Sequence, residues 1–379
     1  MWDWNTYFIF GFSLVWAVFF LSEYSRKPGK WSIIVISFLP LFFLFAFRAE
    51  TVGTDLPHYA IHVEDGGWFL NDSGGFPLEI LSQLLYFLSH KWGGFHTFLF
   101  LSSLIEFMFL CLAAYELNKR RVGLGMTIAV MVSMVVLRSV SMIRNGIAIA
   151  SALCAVAQLL DNEKSSRWKY WFYSIIALGF HNSAILMVPI FFICRPMDPS
   201  SSKYKKGLTL RIIVMVVMFA LLYYIGASGF LDLFFQITGE TYNERHFEAN
   251  NSWGLGNLII RLPFLIFVIL SIPNMKRCGF NYMPLLMMLL FDVLVSQTKY
   301  VSQDFERLTM YTRLSVIVLW GVLYKTYAWN KQSIARVLFF IVGVYYYTYN
   351  MYVYAITGSN GQGNGLMPYQ TWLDFFYSI

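Results

Sequence analysis

Long apolar runs separated by short polar loops make up most of the chain. A helix needs roughly 17–25 apolar residues to cross a bilayer, and most of these runs are close to that length. The pattern therefore predicts an all-α, polytopic membrane protein. The predicted spans are residues 4–21, 31–47, 95–117, 122–138, 141–160, 211–231, 257–272, 280–298, 311–328 and 334–355.

Composition agrees with this class of protein. Hydrophobic residues make up 58% of the chain and charged residues 13%, against roughly a quarter charged in soluble domains. Mean hydropathy is +0.56. The net charge of +7 would also suit nucleic acid, but most basic residues lie in short loops beside apolar runs. Basic residues in such loops set the orientation of a membrane protein in the bilayer. The charge is therefore explained without a nucleic-acid partner, and none is expected.

For two stretches, 77–92 and 168–194, the number of membrane crossings is ambiguous. The positions of the basic loops decide it. Short loops rich in Lys and Arg stay in the cytoplasm. The basic clusters are Arg26/Lys27/Lys30, Lys119/Arg120/Arg121, Lys164/Arg167/Lys169, Arg195/Lys203/Lys205/Lys206, Lys276/Arg277 and Lys331/Arg336. All are cytoplasmic together if 77–92 is re-entrant or flat on the outer side and 168–194 is a helical hairpin. The hairpin would turn at His181-Asn182-Ser183.

This solution predicts about twelve crossings in one integral-membrane domain covering residues 1–379, with both termini outside. It also assigns each of the longer polar loops to a side of the membrane. Those on the outer side are about 48–76, 232–256 and 299–310. Most of the unusually placed polar residues then face one extracytoplasmic cavity.

Several arginines lie near the outer ends of apolar runs, where positive charge is otherwise avoided. They are Arg48, Arg138, Arg144, Arg261, Arg307 and Arg313. Arginine directs two N–H donors onto phosphate oxygens, so this set predicts a site for a lipid-linked phosphate or diphosphate. The alternative for any one of them is that it reaches lipid headgroups or neutralises a loop carboxylate.

Three residues are candidates for proton transfer: Asp55, Glu79 and His181. A glycosyl transfer needs a base at the acceptor hydroxyl and a group that stabilises the departing phosphate. Structural alternatives exist, because Asp55 can cap the next helix and a lone histidine is more often a hydrogen-bonded packing residue. His58 and His62 have metal-ligand spacing but no partner set, so we predict no metal site.

Taken in chain order, several motifs resemble the EpsG-like branch of the Wzy-type polysaccharide polymerases. The matching residues are Phe47-Arg48, Gly53-Thr54-Asp55 and Tyr59; Ser141-Met142-Ile143-Arg144-Asn145-Gly146-Ile147-Ala148; Ala177-Leu178-Gly179-Phe180-His181-Asn182-Ser183-Ala184; Glu306-Arg307 with Tyr311; and Pro368-Tyr369. Each motif is short, and the weight lies in their order and spacing over most of the chain. Asn145 departs from the glutamine that often follows the arginine, and either amide can donate to phosphate or sugar.

The resemblance implies an integral-membrane glycosyltransferase fold of the type called GT-C. It also implies a polymerase that joins oligosaccharide repeat units carried on undecaprenyl diphosphate, at the outer face of the bacterial cytoplasmic (inner) membrane. The product would be O-antigen, capsule or exopolysaccharide, with the growing chain as glycosyl donor. No nucleotide sugar, required metal or other cofactor is implied. Expected partners are membrane lipid and a chain-length regulator and flippase of the same pathway.

The same resemblance implies roles for individual residues. The donor diphosphate would be held, and stabilised as it leaves, by Arg48, Arg144 and Arg138 or Arg307. The set of arginines near the outer ends of apolar runs adds Arg313 to these candidates. Catalysis would involve Arg144, with either Asp55 or His181 as the base at the acceptor hydroxyl. Glycan contacts would come from Thr54, Tyr59, Glu79, Asn145 and Tyr311.

Three other functions fit parts of the pattern. A flippase or transporter of the same lipid-linked sugars would need an arginine-lined cavity, but with polar groups near mid-membrane and symmetric halves. A membrane O-acyltransferase would need a histidine with a partner acid or amide deep in a helix. An O-antigen ligase shares the donor chemistry and differs only in its acceptor. The motifs favour the polymerase.

Overall fold

The computed structural model describes most of the chain, and the predicted loop stretches 67–76, 232–254 and 299–304 lie outside the described residues. The described residues are 3–26, 29–66, 79–161, 163–197, 202, 204–227, 255–298, 305–329, 333–354 and 366–371. Within these ranges the chain is helical, without strands apart from one isolated β-bridge. The predicted all-α class is confirmed for this part of the chain.

Each apolar run predicted as a span contains a helix. In chain order the α-helices are α1 Trp4–Arg26, α2 Trp31–Ala46, α3 Leu56–Glu64, α4 Ile80–Trp92, α5 Gly94–Lys119, α6 Leu124–Ser139, α7 Ile143–Gln158, α8 Lys164–Phe180, α9 Met187–Cys194, α10 Tyr204–Ala227, α11 Leu255–Arg277, α12 Met283–Val295, α13 Phe305–Thr312, α14 Leu314–Trp329 and α15 Ser333–Tyr354. By length and composition α1 and α5 are able to cross a membrane, and several shorter helices are apolar. The total of about twelve crossings stays a prediction.

Large apolar side chains are exposed on the outward faces of several helices. On α1, Phe8 and Phe12 are each 63% exposed and Phe19 is 65% exposed, and both Leu270 on α11 and Phe340 on α15 are 71% exposed. Soluble monomers rarely expose extended apolar surface of this kind, whereas lipid tails cover it without cost. Together with the apolar helices, this surface is that of a membrane protein.

The central helix, α7, packs between α5 and α8. Nearly all of its residues are buried, and many of them are alanine or serine. Small side chains allow helix backbones to approach closely within a membrane. A Cβ added at Gly146 would lie 2.2 Å from the Ser139 Cβ, so this position requires glycine. The close packing fixes the N-terminal end of α7, where Arg144 lies.

The chain enters α7 through a tight turn, residues 139–142. Before this turn α6 becomes π-helical over Val132–Val136, a distortion that often occurs near functional sites. The Arg138 carbonyl then accepts hydrogen bonds from the backbone N–H groups of Ser141 and Met142, both at 3.2 Å. These bonds end α6 and set the direction in which α7 begins.

The stretch 168–194 reverses direction at the predicted residues. α8 ends at Phe180, His181 is extended, and a 3₁₀ turn over Asn182–Leu186 leads into α9. On the two arms, the Tyr170 hydroxyl donates to the Met187 carbonyl at 2.6 Å. A straight helix would separate these two residues by about 25 Å. The predicted hairpin is therefore confirmed as a chain reversal, and its two crossings stay a prediction.

The other ambiguous stretch contains the short helix α4, which has 13 residues. At 1.5 Å per residue it is about 20 Å long, shorter than the roughly 30 Å hydrocarbon core. It packs against α3, α5 and α8. Gly93 and Gly94, at φ +147° and +72°, then turn the chain directly into α5. This geometry fits a segment that does not cross the membrane.

Candidate functional site

Arg144, in the first turn of α7, is paired with Glu79, the residue before α4. Its Nη1 donates to the Glu79 Oε2, and the Glu79 Oε1 accepts the Asn182 backbone N–H at 3.1 Å. One carboxylate therefore joins the beginnings of α7 and α4 to the hairpin tip. The Arg144 side chain is 32% exposed, so its guanidinium remains accessible to a ligand.

The segment Gly53–Tyr59 lies against the same arginine. The Arg144 Cζ is 5.8 Å from the centre of the Tyr59 ring, and burial raises the pKa of Tyr59. The Thr54 N–H donates to the Ser141 Oγ at 2.9 Å. This bond holds the segment on the turn that precedes α7, so that both motifs contribute to one site.

Asp55 begins α3 without capping it through its side chain. Its backbone carbonyl accepts the N–H groups of His58 and Tyr59 at 3.1 and 3.2 Å, and its carboxylate makes no cap hydrogen bond. The alternative that the Asp55 carboxylate caps the next helix is therefore wrong. Within the described ranges, the partly exposed carboxylate accepts a single long bond, 3.4 Å, from the neighbouring Thr54 Oγ1, which leaves it suited to receive a proton.

His181 lies in the connection between α8 and α9 and is 8% exposed. Its Nδ1 accepts the Ser183 N–H at 3.1 Å, which assigns the proton of the neutral ring to Nε2. Burial, Arg144 and Arg307 together lower the pKa of His181 to about 3, so the ring stays neutral. In this arrangement His181 offers an N–H donor rather than a basic nitrogen.

Arg307 brings a second guanidinium to this region. Its helix, α13, packs against α7 and the 3₁₀ turn of the hairpin. The charge of Arg307 acts on both Tyr59 and His181. The sequence-predicted residues that the structure brings together are Thr54, Asp55, Tyr59, Glu79, Arg144, His181 and Arg307.

Arg48 points into the protein. It is 1% exposed, and it donates from Nη1 to the Phe45 carbonyl at 2.8 Å and from Nη2 to the Val140 carbonyl at 3.1 Å. These bonds tie the end of α2 to the turn before α7. Arg138 is also buried, at 7% exposure, and its carbonyl closes that turn. Contact of either arginine with a diphosphate stays a prediction.

Asn145 and Tyr311 bond to each other. The Tyr311 hydroxyl donates to the Asn145 Oδ1 at 3.1 Å, and both residues are buried. The pair connects α7 to α13, and its contact with glycan stays a prediction. Arg313 lies in a different neighbourhood, where its charge and that of Arg261 act on Tyr346 of α15.

Two buried carboxylates were missed by the sequence prediction. Glu106 in α5 accepts a hydrogen bond from the Ser139 Oγ at 2.7 Å, directly before the turn that leads to α7. Asp292 in α12 pairs with the Arg261 Nε at 2.9 Å and accepts from the Thr312 Oγ1 at 2.5 Å. An isolated acid within an apolar run is costly in a bilayer, and that signal could have identified both residues.

Residues 366–371 return to the loop that follows α2. The Ala49 N–H donates to the Gln370 carbonyl at 2.8 Å, beside the β-bridge of Arg48 with Thr371. The Tyr369 N–H donates to the Thr6 Oγ1 at 2.8 Å. The segment that carries the late Pro368-Tyr369 motif thus holds the loop from which the site segment begins.

Replacing Gly53 by alanine is expected to lower the free energy of unfolding by about 3 kcal/mol or more. Gly53 has φ +130°, and an added Cβ would lie 2.8 Å from the Val140 carbonyl oxygen. The control is Gly29→Ala, because Gly29 has φ +139° with nothing within 4 Å of an added Cβ. That variant should be destabilised only by backbone strain, about 1–3 kcal/mol. Equal losses in unfolding of the purified proteins in detergent would contradict the proposed close contact.

Comparison with known proteins agrees with the motifs that meet at this site. Residues 31–371 match the EpsG family, so the match covers α2 to the segment that pairs with Arg48. No curated protein and no solved structure matches the chain. The chain therefore belongs to the EpsG family, the polysaccharide-polymerase branch that its motifs resemble.

Proposed function

We propose that this membrane protein is a polysaccharide polymerase that joins undecaprenyl-diphosphate-linked oligosaccharide repeat units. The observation that carries the proposal is the link from Arg144 through Glu79 to the Asn182 backbone. It connects two of the motifs that resemble the polymerases, and Tyr59 of a third motif lies against the same guanidinium. An ion pair that served only to stabilise the fold could form without bringing these three motifs together.

In the proposed reaction, a hydroxyl oxygen of the incoming repeat unit attacks the anomeric carbon of the growing chain. The bond from that carbon to the lipid diphosphate breaks, and undecaprenyl diphosphate leaves. Arg144 and Arg307 stabilise the negative charge that develops on the leaving group. The N-terminal end of α7 adds its partial positive charge beside Arg144.

Asp55 is proposed as the base that receives the proton of the acceptor hydroxyl. Its carboxylate is partly exposed and makes no capping bond, whereas His181 already uses Nδ1 as an acceptor. His181 is instead proposed to donate its Nε2–H to the sugar or the diphosphate. Glu79 orients Arg144, since each of its oxygens already accepts a hydrogen bond.

Arg48 is proposed to act as a positioning residue. Its guanidinium makes hydrogen bonds to two backbone carbonyls, and bonds of this kind from a charged group are worth about 1.5–3 kcal/mol each. It would keep the turn before α7 at a fixed distance from the segment that carries Asp55. This role fits its burial better than a direct contact with the diphosphate.

The site is proposed to face the outside of the cytoplasmic membrane. In intact cells, an Asn182→Cys variant should react with a membrane-impermeant maleimide, because Asn182 is exposed at the hairpin tip. The control is Ser165→Cys, at the exposed beginning of α8, which should react only after permeabilisation. Cys278, the one native cysteine that is not buried, would first be replaced by serine. The reverse labelling pattern would contradict the proposed orientation.

The proposed function is tested with purified protein and a lipid-linked repeat unit, without nucleotide sugar. A ladder of products that differ by one repeat unit is expected. Unchanged substrate that merely crosses liposomes would identify a flippase. Transfer to a different acceptor without a ladder would identify a ligase, and either result would contradict polymerisation.

A further inference from the structure

A groove of about 810 Å³ lies between the hairpin and α10. Its lining includes Arg167, Arg195 and Arg211, and the rest is largely apolar, including Val188, Phe192 and Leu210. The groove is separate from the candidate active site. Arg167 lies near the start of α8 and His181 follows its end, so the helix holds them about 20 Å apart.

One of these arginines, Arg211, is held in place by hydrogen bonds. Arg211 on α10 is 7% exposed, and its Nη1 donates to the carbonyls of Ile193 and Arg195 at 3.3 and 2.5 Å. These carbonyls end α9 and carry no net charge. The backbone of Arg195 therefore lies against the Arg211 guanidinium, and the positive charge of Arg195 acts on Arg211. Two like charges held in one region repel each other unless an anion lies between them.

The described part of the chain supplies no such anion. Its ion pairs involve other basic residues, and none joins a carboxylate to Arg167, Arg195 or Arg211. Arg167 and Arg195 are both exposed at the groove. A ligand with a negatively charged head would neutralise these arginines.

The apolar part of the lining continues onto the outer surface of the helices. Val188 is 37%, Phe192 51% and Leu210 61% exposed, which is the exposure expected of side chains that contact lipid tails. The groove thus combines three arginines with an apolar surface suited to an alkyl chain. The groove is therefore suited to an amphiphile with an anionic head rather than to a free ion.

We propose that this groove binds an anionic phospholipid, with its phosphate against Arg195 and Arg211 and one acyl chain along Val188, Phe192 and Leu210. Arginine suits this role, because its planar group binds two phosphate oxygens together. Under the predicted orientation the lipid belongs to the cytoplasmic leaflet, where anionic headgroups are concentrated. The lipid would hold the hairpin against α10 at the end opposite to the candidate active site.

The test uses delipidated full-length protein and native mass spectrometry. Phosphatidylglycerol, phosphatidylcholine with the same acyl chains, and inorganic phosphate are titrated separately. Tight binding of one phosphatidylglycerol molecule is expected. Arg195→Gln should weaken it by about fivefold, and Arg167→Gln with Arg195→Gln by roughly 25-fold, from the typical contribution of one basic residue near an anionic membrane surface.

Arg277→Gln is the matched control, because Arg277 is an exposed arginine at the end of α11 and lies outside the groove. It should change the affinity by less than about twofold. Equal losses from Arg277→Gln and Arg195→Gln would show general attraction to basic surface and overturn the site. Equal binding of phosphatidylcholine, or saturation by inorganic phosphate that blocks phosphatidylglycerol, would overturn the assignment to an anionic lipid. None of these results depends on polymerase activity.

Discussion

Replacing Arg144 by alanine is expected to reduce the rate of polymer formation by about 10²–10³-fold, the typical cost of removing one donor that stabilises transition-state charge. Arg144 is the accessible guanidinium held by Glu79 at the start of α7. Its loss would also leave Glu79 without a counter-charge, adding repulsion toward a diphosphate. The measurement is the initial rate of ladder formation from a purified lipid-linked repeat unit.

Two further variants separate charge from geometry at this position. Arg144→Lys keeps the charge but cannot form the two parallel hydrogen bonds of a guanidinium, so it should recover only part of the rate. Arg277→Ala removes an exposed arginine from the end of α11 and should polymerise normally. If Arg144→Ala forms the ladder at the wild-type rate, the proposed stabilisation of the leaving diphosphate by Arg144 is wrong.

Replacing Asp55 by asparagine should lower the rate by about 10²–10⁴-fold, the usual contribution of a positioned general base. Asparagine keeps the size of the side chain but cannot accept the proton. Because the Asp55 side chain makes no capping bond to α3, the fold should be unaffected. Thermal unfolding of the purified variant checks this, and ladder formation measures the lost activity.

The comparison variant is His181→Asn. Its side-chain oxygen takes the place of Nδ1 and can still accept the Ser183 N–H, while the ring and its Nε2–H are lost. We expect a loss of about tenfold, the cost of one neutral hydrogen bond and some packing. If His181→Asn loses as much activity as Asp55→Asn, or if Asp55→Asn remains active, the assignment of the base to Asp55 fails.

The helices and the hairpin were predictable from sequence because their signals are local. Apolar runs end at polar or basic residues, and His181-Asn182-Ser183 interrupts a stretch too long for one simple helix. The amphipathic pattern and short length of 77–92 likewise indicated a segment that does not cross the membrane and is re-entrant or flat on the outer side. The basic loops indicated that these polar residues face one outer cavity, and the family resemblance added the roles expected of them.

The partners of the charged residues were not predictable, because they depend on distant parts of the chain. Arg48 points inward because the Val140 carbonyl, 92 residues away, accepts its Nη2–H. Arg144 is paired with Glu79, 65 residues before it. The place of each arginine at the end of an apolar run indicated its depth in the membrane. It left open whether the side chain faces a cavity or the protein interior.

The contact of residues 366–371 with the loop after α2 has a consequence for biosynthesis. Chains are made from the N-terminus and fold progressively, yet Ala49 and Thr6 bond to Gln370 and Tyr369. The loop leading to Asp55 therefore gains these supports only after residues up to Gln370 have been synthesised. Partly synthesised chains, and fragments cut before residue 366, would hold the membrane helices without a completed site.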